Sequence, residues 1–156
     1  PETQVRHIHL KVSDLDRSIA FYRDVLGFSL TALYGPSAAF LAAGDYHHHI
    51  GLNTWDSAGA DPVTKRAAGM YHVAFLYPTR KALAGVLQNV LACGVSLSGK
   101  ADHGVSQALY FDDPGGNGIE IYWDRPQKDW PFDADNNLAM VNSPLDIDDL
   151  LSELTP

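Results

Sequence analysis

The clearest structural signal in the chain is the run HIHLKVSDLDRSIAFYRDVLGF, residues 7–28. Apolar and polar residues alternate at its start, which is typical of a strand over residues 5–12 with one buried face. Ser13 or Asp14 then provides a helix N-cap, and an apolar stripe leads to Gly27, a residue suited to a left-handed C-cap. The run therefore predicts a β-strand followed by an amphipathic helix that packs on the strand's aliphatic face.

Short strands are predicted after this helix, separated by the turn-forming pairs Gly35-Pro36 and Gly44-Asp45. They cover residues 28–33, 37–42 and 46–53. The next stretch is rich in small and turn-forming residues and has no periodicity, which predicts a loop. The first part of the chain thus has the order strand, helix, strand, strand, strand.

The same order returns in the second part of the chain. A strand at residues 71–77 precedes a helix that ends at Gly94, and three strands are predicted at residues 95–97, 107–111 and 118–123. The repetition is weak in residue identity but strong in element order, which indicates an internal duplication.

These patterns predict an α+β fold of two tandem βαβββ modules. We expect the modules to form an open, barrel-like mixed sheet with helices on the outside and a metal site in the cleft. We expect one domain over residues 1–125, with modules at about 5–55 and 70–125 joined by a linker at 56–69. Residues 126–156 form a C-terminal extension, in which the proline and early acidic residues after Ser143 predict a short helix.

Composition excludes several classes of function. The net charge is −8, and the 11 basic residues form no stripe that could follow a phosphate backbone, so nucleic acid is not expected as a partner. No apolar run approaches the length of a membrane span. The chain contains no phosphate-binding glycine loop, no Gly-x-Ser-x-Gly elbow and no Cys-x-x-Cys pair.

The compartment is predicted from the N-terminus and the cysteine count. Residues 1–4 lack the basic and apolar regions of a signal peptide, so we expect a cytoplasmic protein. The single cysteine, Cys93, excludes an internal disulfide and fits a reducing compartment. Its position at the end of an apolar helical pattern predicts a buried, unreactive thiol, with a reactive thiol as the alternative.

Three residues of the duplicated pattern suggest a metal site. His7 and His72 hold the same place in the two modules, on the face opposite the aliphatic residues. Glu120 shares that face in the last strand, where an unpaired carboxylate would be costly to bury. Two imidazoles and one carboxylate with open positions form the set associated with non-haem ferrous oxygenases. Each histidine taken alone would more often be a partly buried polar residue.

The triple His47-His48-His49 supplies further candidates. In a strand over residues 46–53, alternation would place His48 with the aliphatic residues and leave His47 and His49 on the cleft face. We expect one of these two near the metal, as a fourth ligand or as an acid/base group. The alternative is a solvated polar strand end.

His103 and Tyr110 complete the candidate catalytic residues. His103 lies in a predicted turn, and Tyr110 lies ten residues before Glu120. This even spacing would allow Tyr110 and Glu120 to lie on the same face of the sheet, but the turn between them means that spacing alone does not decide it. For both residues a structural role remains the alternative.

The chain resembles a known family at several of these motifs. Residues 7–28 resemble the first module of the vicinal oxygen chelate superfamily, which includes glyoxalase I, fosfomycin and bleomycin resistance proteins and extradiol dioxygenases, and the resemblance extends over residues 5–125. Residues 46–55, 102–106 and 110–126 are similar to the catechol 2,3-dioxygenase branch. Many extradiol enzymes carry four modules, whereas this chain has two.

The resemblance implies an extradiol dioxygenase that opens the ring of a catechol-like vicinal diol with dioxygen. Ferrous iron would be held by His7, His72 and Glu120, with manganese, nickel or zinc as other possible metals. One cleft histidine of the triple and His103 would be acid/base or oxygen-stabilising groups, and the Tyr110 hydroxyl would bind substrate.

Two other functions stay open within the same superfamily. One is a glyoxalase I-type isomerase or lyase, in which His47 or His49 would be a fourth metal ligand. The other is a metal-free drug-binding protein of the bleomycin-resistance kind, against which the presence of all three candidate ligands argues. The exposed edges of two small modules also predict a homodimer.

Overall fold

The structure, a computed structural model, describes residues 2–155. The chain divides into two compact units, one containing the residues up to Gly69 together with Asp113–Asn117, and the other Met70–Asp112 and the residues from Gly118 onward. The first unit contains β1 (Ile8–Lys11), α1 (Leu15–Ala20, extended by a π-helical turn at Phe21–Val25), β2 (Ser29–Tyr34), β3 (Ala38–Ala42) and β4 (Ile50–Asn53). The second contains β5 (Val73–Leu76), α2 (Arg80–Ala92), β6 (Gly99–Asp102), β7 (Ser106–Asp112), β8 (Gly118–Asp124), a 3₁₀ turn (Gln127–Asp129) and α3 (Ile147–Ser152).

The first unit is a four-stranded mixed sheet in the order β1-β4-β3-β2, with β1 parallel to β4 and the other pairs antiparallel. The Asp14 side chain caps α1 by accepting a hydrogen bond from the amide of Arg17 at 2.9 Å. Tyr22 is fully buried, and its hydroxyl donates to Asp113 at 2.8 Å. The core of this unit combines the buried rings of Phe21, Tyr22 and Phe28 with aliphatic side chains, which include Leu10, Val12, Leu41, Ile50 and Leu52.

The second unit repeats this topology strand for strand, in the order β5-β8-β7-β6 with β5 parallel to β8. Thr79 caps α2 through its hydroxyl, which accepts from the amide of Ala82 at 3.0 Å. The helix buries Leu83, Leu87 and Val90, while Ile119 and Ile121 are buried from β8.

The α+β class with two βαβββ modules is confirmed. The described strands form two separate four-stranded sheets, which are not closed into a barrel. The strand predicted at residues 95–97 is wrong, because the amide of Val95 bonds back to Val90 and completes the end of α2. The strand of this module is β6, which begins at Gly99.

The strand predicted over residues 46–53 is wrong in its first half, since β4 begins at Ile50. The amide of Ala43 donates to the ring Nδ1 of His49 at 3.2 Å, so it is not available to extend a backbone ladder. Cys93 is exposed, which corrects the predicted buried thiol. It follows α2 immediately, where the helix end turns toward solvent.

The residues after β8 are part of the second unit and pack against α2 and β6. Leu145 and Leu150 are buried, and Arg80 of α2 forms ion pairs with Asp149 and Glu153 of the terminal helix region. Ser143 forms an antiparallel bridge with Asp102. Across residues 2–155, no helix has both the length and the apolar character that a membrane crossing needs.

Candidate metal centre

The second unit places His72 directly against Glu120. His72 is the residue before β5, and β5 runs parallel to β8 in a register that pairs Ala74 with Glu120. Nε2 of His72 lies 2.8 Å from Oε2 of Glu120. The side chains are 30% and 13% exposed, respectively, so the pair is partly shielded from water but still accessible.

The donor atoms of this pair suit a metal ion. Two ligand atoms at right angles on one metal, each about 2.1 Å from it, are about 3 Å apart. With the carboxylate ionised, His72 must carry a proton on Nε2 to donate to Glu120, and a metal would displace that proton. Nδ1 of His72 is buried and has no hydrogen-bond partner among residues 2–155, so no other group described by the structure holds the ring in this tautomer. The pair therefore fits two positions of a metal site.

Tyr110 and His103 extend the pair into a hydrogen-bonded chain. Tyr110 is directly opposite Glu120 in the antiparallel β7–β8 ladder, which settles the shared face that spacing left open. Its hydroxyl lies 3.2 Å from Oε1 of Glu120 and 2.9 Å from Nε2 of His103. Burial and the Glu120 carboxylate raise the pKa of Tyr110 to about 12. The phenol therefore stays protonated near neutral pH and remains a hydrogen-bond donor.

His7 of the first unit holds the position before β1 that His72 holds before β5. Its ring lies 4.7 Å from that of His48. In the second unit Ala74 is paired with Glu120, and the equivalent pair in the first unit is His9 with Gly51. Gly51 therefore occupies the position in the first unit that Glu120 occupies in the second. A Cβ at Gly51 would lie 2.9 Å from the ring of His9. The glycine therefore makes room for His9 and leaves this unit without a carboxylate there.

The His47-His48-His49 triple lies in the bend before β4. The alternation that assigned His47 and His49 to the cleft face therefore does not apply to them. Nδ1 of His47 is 2.7 Å from Nδ1 of His48, and the ring of His48 also contacts His7 and Phe40. Desolvation and then the neighbouring histidines, His47 first, lower the pKa of His48, which favours its neutral imidazole.

Among residues 2–155, no group of three His, Cys, Asp or Glu side chains is placed so that it could hold a metal ion. Neither unit alone supplies all three predicted ligands, because His7 belongs to the first unit and the other two to the second. The structure does bring together His72, Glu120, Tyr110 and His103 within one unit.

The sequence did not point to the groups that surround His103. Nδ1 of His103 lies 3.1 Å from the backbone carbonyl of Val141, and the preceding Asp102 accepts hydrogen bonds from Gln107, Gly104 and Arg125. Burial alone would raise the pKa of Asp102, but these hydrogen bonds and the Arg125 charge together lower it. A backbone carbonyl 38 residues away carries no side-chain signal that a sequence pattern could reveal.

Comparison with known proteins shows similarity along most of the chain. Residues 4–121 match the family described as the Glyoxalase/Bleomycin resistance protein/Dioxygenase superfamily. A catechol-2,3-dioxygenase of Bacillus subtilis (strain 168) is 36% identical over 97% of this chain and 52% of its own length. A biphenyl-2,3-diol 1,2-dioxygenase of Rhodococcus globerulus is 29% identical over 78% of this chain and 63% of its own length. The chain thus spans between half and two thirds of these relatives.

Solved structures share the fold. A glyoxalase/dioxygenase from Nostoc punctiforme superposes with a TM-score of 0.67 at 21% identity, covering 79% of this chain and 92% of the other. A glyoxylase/bleomycin resistance protein/dioxygenase domain from Frankia sp. EAN1pec also reaches 0.67, at 22% identity over 80% of this chain and 100% of the other. At these identities the likeness concerns the fold alone.

Proposed function

The chain belongs to the glyoxalase/bleomycin resistance protein/dioxygenase superfamily, and from this we propose that it is an extradiol-type dioxygenase that opens the ring of a catechol-like vicinal diol. The names of the two curated relatives support this reaction class. The observation that carries the proposal is the hydrogen-bonded chain His72–Glu120–Tyr110–His103, which joins two metal donors to a protonated phenol and a second imidazole.

The proposed metal ligands are His7, His72 and Glu120. His7 is included because it holds the position before β1 that His72 holds before β5. Ferrous iron bound by this set would supply a Lewis acid for the vicinal diol and electrons for the reaction with dioxygen. Manganese, nickel and zinc are the other metals to be tested.

The remaining site residues are proposed to move and hold protons. The Tyr110 hydroxyl, with its pKa of about 12, would hydrogen-bond a substrate oxygen and stay protonated, because it can take a proton from the substrate as it gives its own to His103. His103, 2.9 Å from that hydroxyl, would exchange a proton with it during the reaction. His47 or His49 would be a further acid/base group, as the resemblance to catechol 2,3-dioxygenases suggests.

The test is oxygen uptake by protein purified without oxygen and loaded with ferrous iron, screened across substituted catechols. We expect a yellow ring-opened product and its loss in His72→Ala. His9→Ala is the matched control, because it removes an imidazole from β1 that is not a proposed ligand, and it should retain iron. Turnover of a hemithioacetal under nitrogen, with no product from any catechol, would instead favour the glyoxalase-type reaction.

Two expectations about the whole protein stay predictions. The homodimer predicted from the exposed sheet edges is tested by sedimentation of the purified chain at several concentrations. Cytoplasmic residence is tested by fractionation of cells that express the protein.

A further inference from the structure

The C-terminal segment, residues 126–155, reaches the candidate metal centre at His103. The amide of Val141 donates to the carbonyl of His103 at 3.1 Å, and the carbonyl of Val141 lies 3.1 Å from the ring Nδ1 of the same histidine. Next to this contact, Ser143 and Asp102 exchange backbone hydrogen bonds of 2.8 and 2.9 Å. His103 is thus held by its backbone and by its ring.

The segment packs closely against Gly104, the residue after His103. A Cβ at Gly104 would come within 2.9 Å of the Pro131 side chain and 3.3 Å of that of Val141. Farther along, Leu145 and Leu150 of the segment are buried within the second unit. The Val141 carbonyl therefore has a defined position relative to the imidazole.

The two hydrogen-bond partners of the His103 ring determine its tautomer. A carbonyl oxygen only accepts hydrogen bonds, so the contact with Val141 requires the proton on Nδ1. In the neutral ring Nε2 is then unprotonated and accepts from the Tyr110 hydroxyl. The opposite tautomer would face the Nδ1 lone pair against the carbonyl oxygen at 3.1 Å, which is unfavourable.

The tautomer also decides where the single hydroxyl proton of Tyr110 points. When Nε2 of His103 is unprotonated, the hydroxyl proton of Tyr110 points along the 2.9 Å contact to that nitrogen and away from the 3.2 Å contact to Glu120. With Nε2 protonated, His103 would donate to the phenol oxygen, and the hydroxyl proton would turn toward Glu120. There it would compete with a metal for Oε1 of the carboxylate.

We propose that the C-terminal segment is a positioning element of the site: the Val141 carbonyl holds His103 in its Nδ1–H tautomer and so directs the Tyr110 hydroxyl toward His103. Val141 acts through His103 and touches no reacting group. Only the consequence for metal binding rests on the proposed function, because the tautomer is a property of the metal-free chain.

The direct test is ¹⁵N–¹H correlation spectroscopy of the histidine rings in metal-free protein at a pH of about 9, so that the spectra report neutral imidazoles. The His103 signals are assigned by their loss in His103→Asn. We expect a protonated Nδ1 and a bare Nε2 in the wild-type chain. A protonated Nε2 would overturn the proposal, whether or not the protein turns over any catechol.

Two substitutions at one position separate the backbone contact from the side chain. Val141→Pro lacks the amide that bonds His103 and should release the segment, so that His103 moves toward the Nε2–H form that free histidine prefers. Val141→Ala keeps both backbone contacts and should keep the wild-type tautomer. The same tautomer in all three proteins, with Val141→Pro folded and a crystal structure showing its residue-141 carbonyl displaced from Nδ1 of His103, would overturn the role of the carbonyl.

Metal affinity supplies a second readout, with Co²⁺ as a spectroscopic probe. We expect roughly tenfold weaker binding by Val141→Pro than by Val141→Ala, the lower end of the usual effect of groups that orient metal ligands. Equal affinities despite a changed tautomer would refute the link from His103 through Tyr110 to Glu120. If no variant binds Co²⁺, the proposed metal site fails while the spectra still decide the tautomer.

Discussion

Gly118 is the position at which a single added methyl group would separate the proposed ligands. A Cβ at this residue would lie 2.1 Å from the backbone carbonyl oxygen of Tyr71 and 3.1 Å from Cβ of His72. Real Cβ atoms essentially never come within 3.0 Å of such an atom, so the start of β8 and the residues before β5 must separate by about 0.9 Å in Gly118→Ala. This exceeds the tolerance of about 0.5 Å within which a metal constellation must be held.

The expected cost follows from that displacement. Overpacking of this kind destabilises a protein by about 1–3 kcal/mol, and 1 kcal/mol shifts the midpoint of thermal unfolding by roughly 2–4 °C in a domain of this size. Gly118→Ala should therefore lower the midpoint by about 2–12 °C. Because His72 and Glu120 flank the clash, metal affinity should fall further than stability alone would require.

Gly85→Ala is the matched control, since it makes the same chemical change inside α2, where no atom of residues 2–155 outside the adjacent residues and nearby helix backbone lies within 4 Å of the new Cβ. It should stabilise the chain by about 0.5–1 kcal/mol, because alanine loses less backbone entropy in a helix than glycine does. The assays are scanning calorimetry and Co²⁺ titration of both variants. Unchanged stability and affinity in Gly118→Ala would refute the close approach of β8 to the residues before β5.

Three other perturbations test separate parts of the structure. Tyr22→Phe removes the buried phenol that donates to Asp113, although Gly115 and Asn117 still donate to this carboxylate, and should cost about 1–3 kcal/mol in urea unfolding at neutral pH. Burial raises the pKa of Tyr22 above its usual 10.0, so this phenol ionises at a lower pH in the unfolded chain than in the folded one. The stability of the wild-type protein should therefore fall as the pH rises above about 10, and the stability of Tyr22→Phe should fall less steeply. The pKa of Asp102 is lowered in the folded chain, so its contribution to the free energy of unfolding is present above pH 3.8 and lost below it. Asp102→Asn should therefore show a weaker loss of stability in acid than the wild-type protein does. An unchanged dependence of stability on pH would contradict this. Gly51→Ala should displace the His9 ring, which lies 2.9 Å from the added Cβ, and an unaltered His9 resonance would contradict the contact.

The duplication could be predicted from the sequence because its signals are local. Alternation at the start of each module and a glycine at each helix end depend only on neighbouring residues. The same alternation predicted that Glu120 lies on the opposite face of β8 from Ile119 and Ile121, which are buried. The prediction from alternation was wrong at residues 46–49, because no strand forms there and the amide of Ala43 donates to the ring of His49.

The sequence by itself determined the family, the two βαβββ modules and the residue types of the candidate site. Only the tertiary structure decided which of these residues touch, because register is set by pairing between distant strands and not by spacing along one strand. That pairing puts Tyr110 opposite Glu120 and His72 within hydrogen-bond distance of the same carboxylate. The contact of Val141 with His103 is less predictable still, since any residue has a backbone carbonyl and only the folded chain places this one against the imidazole.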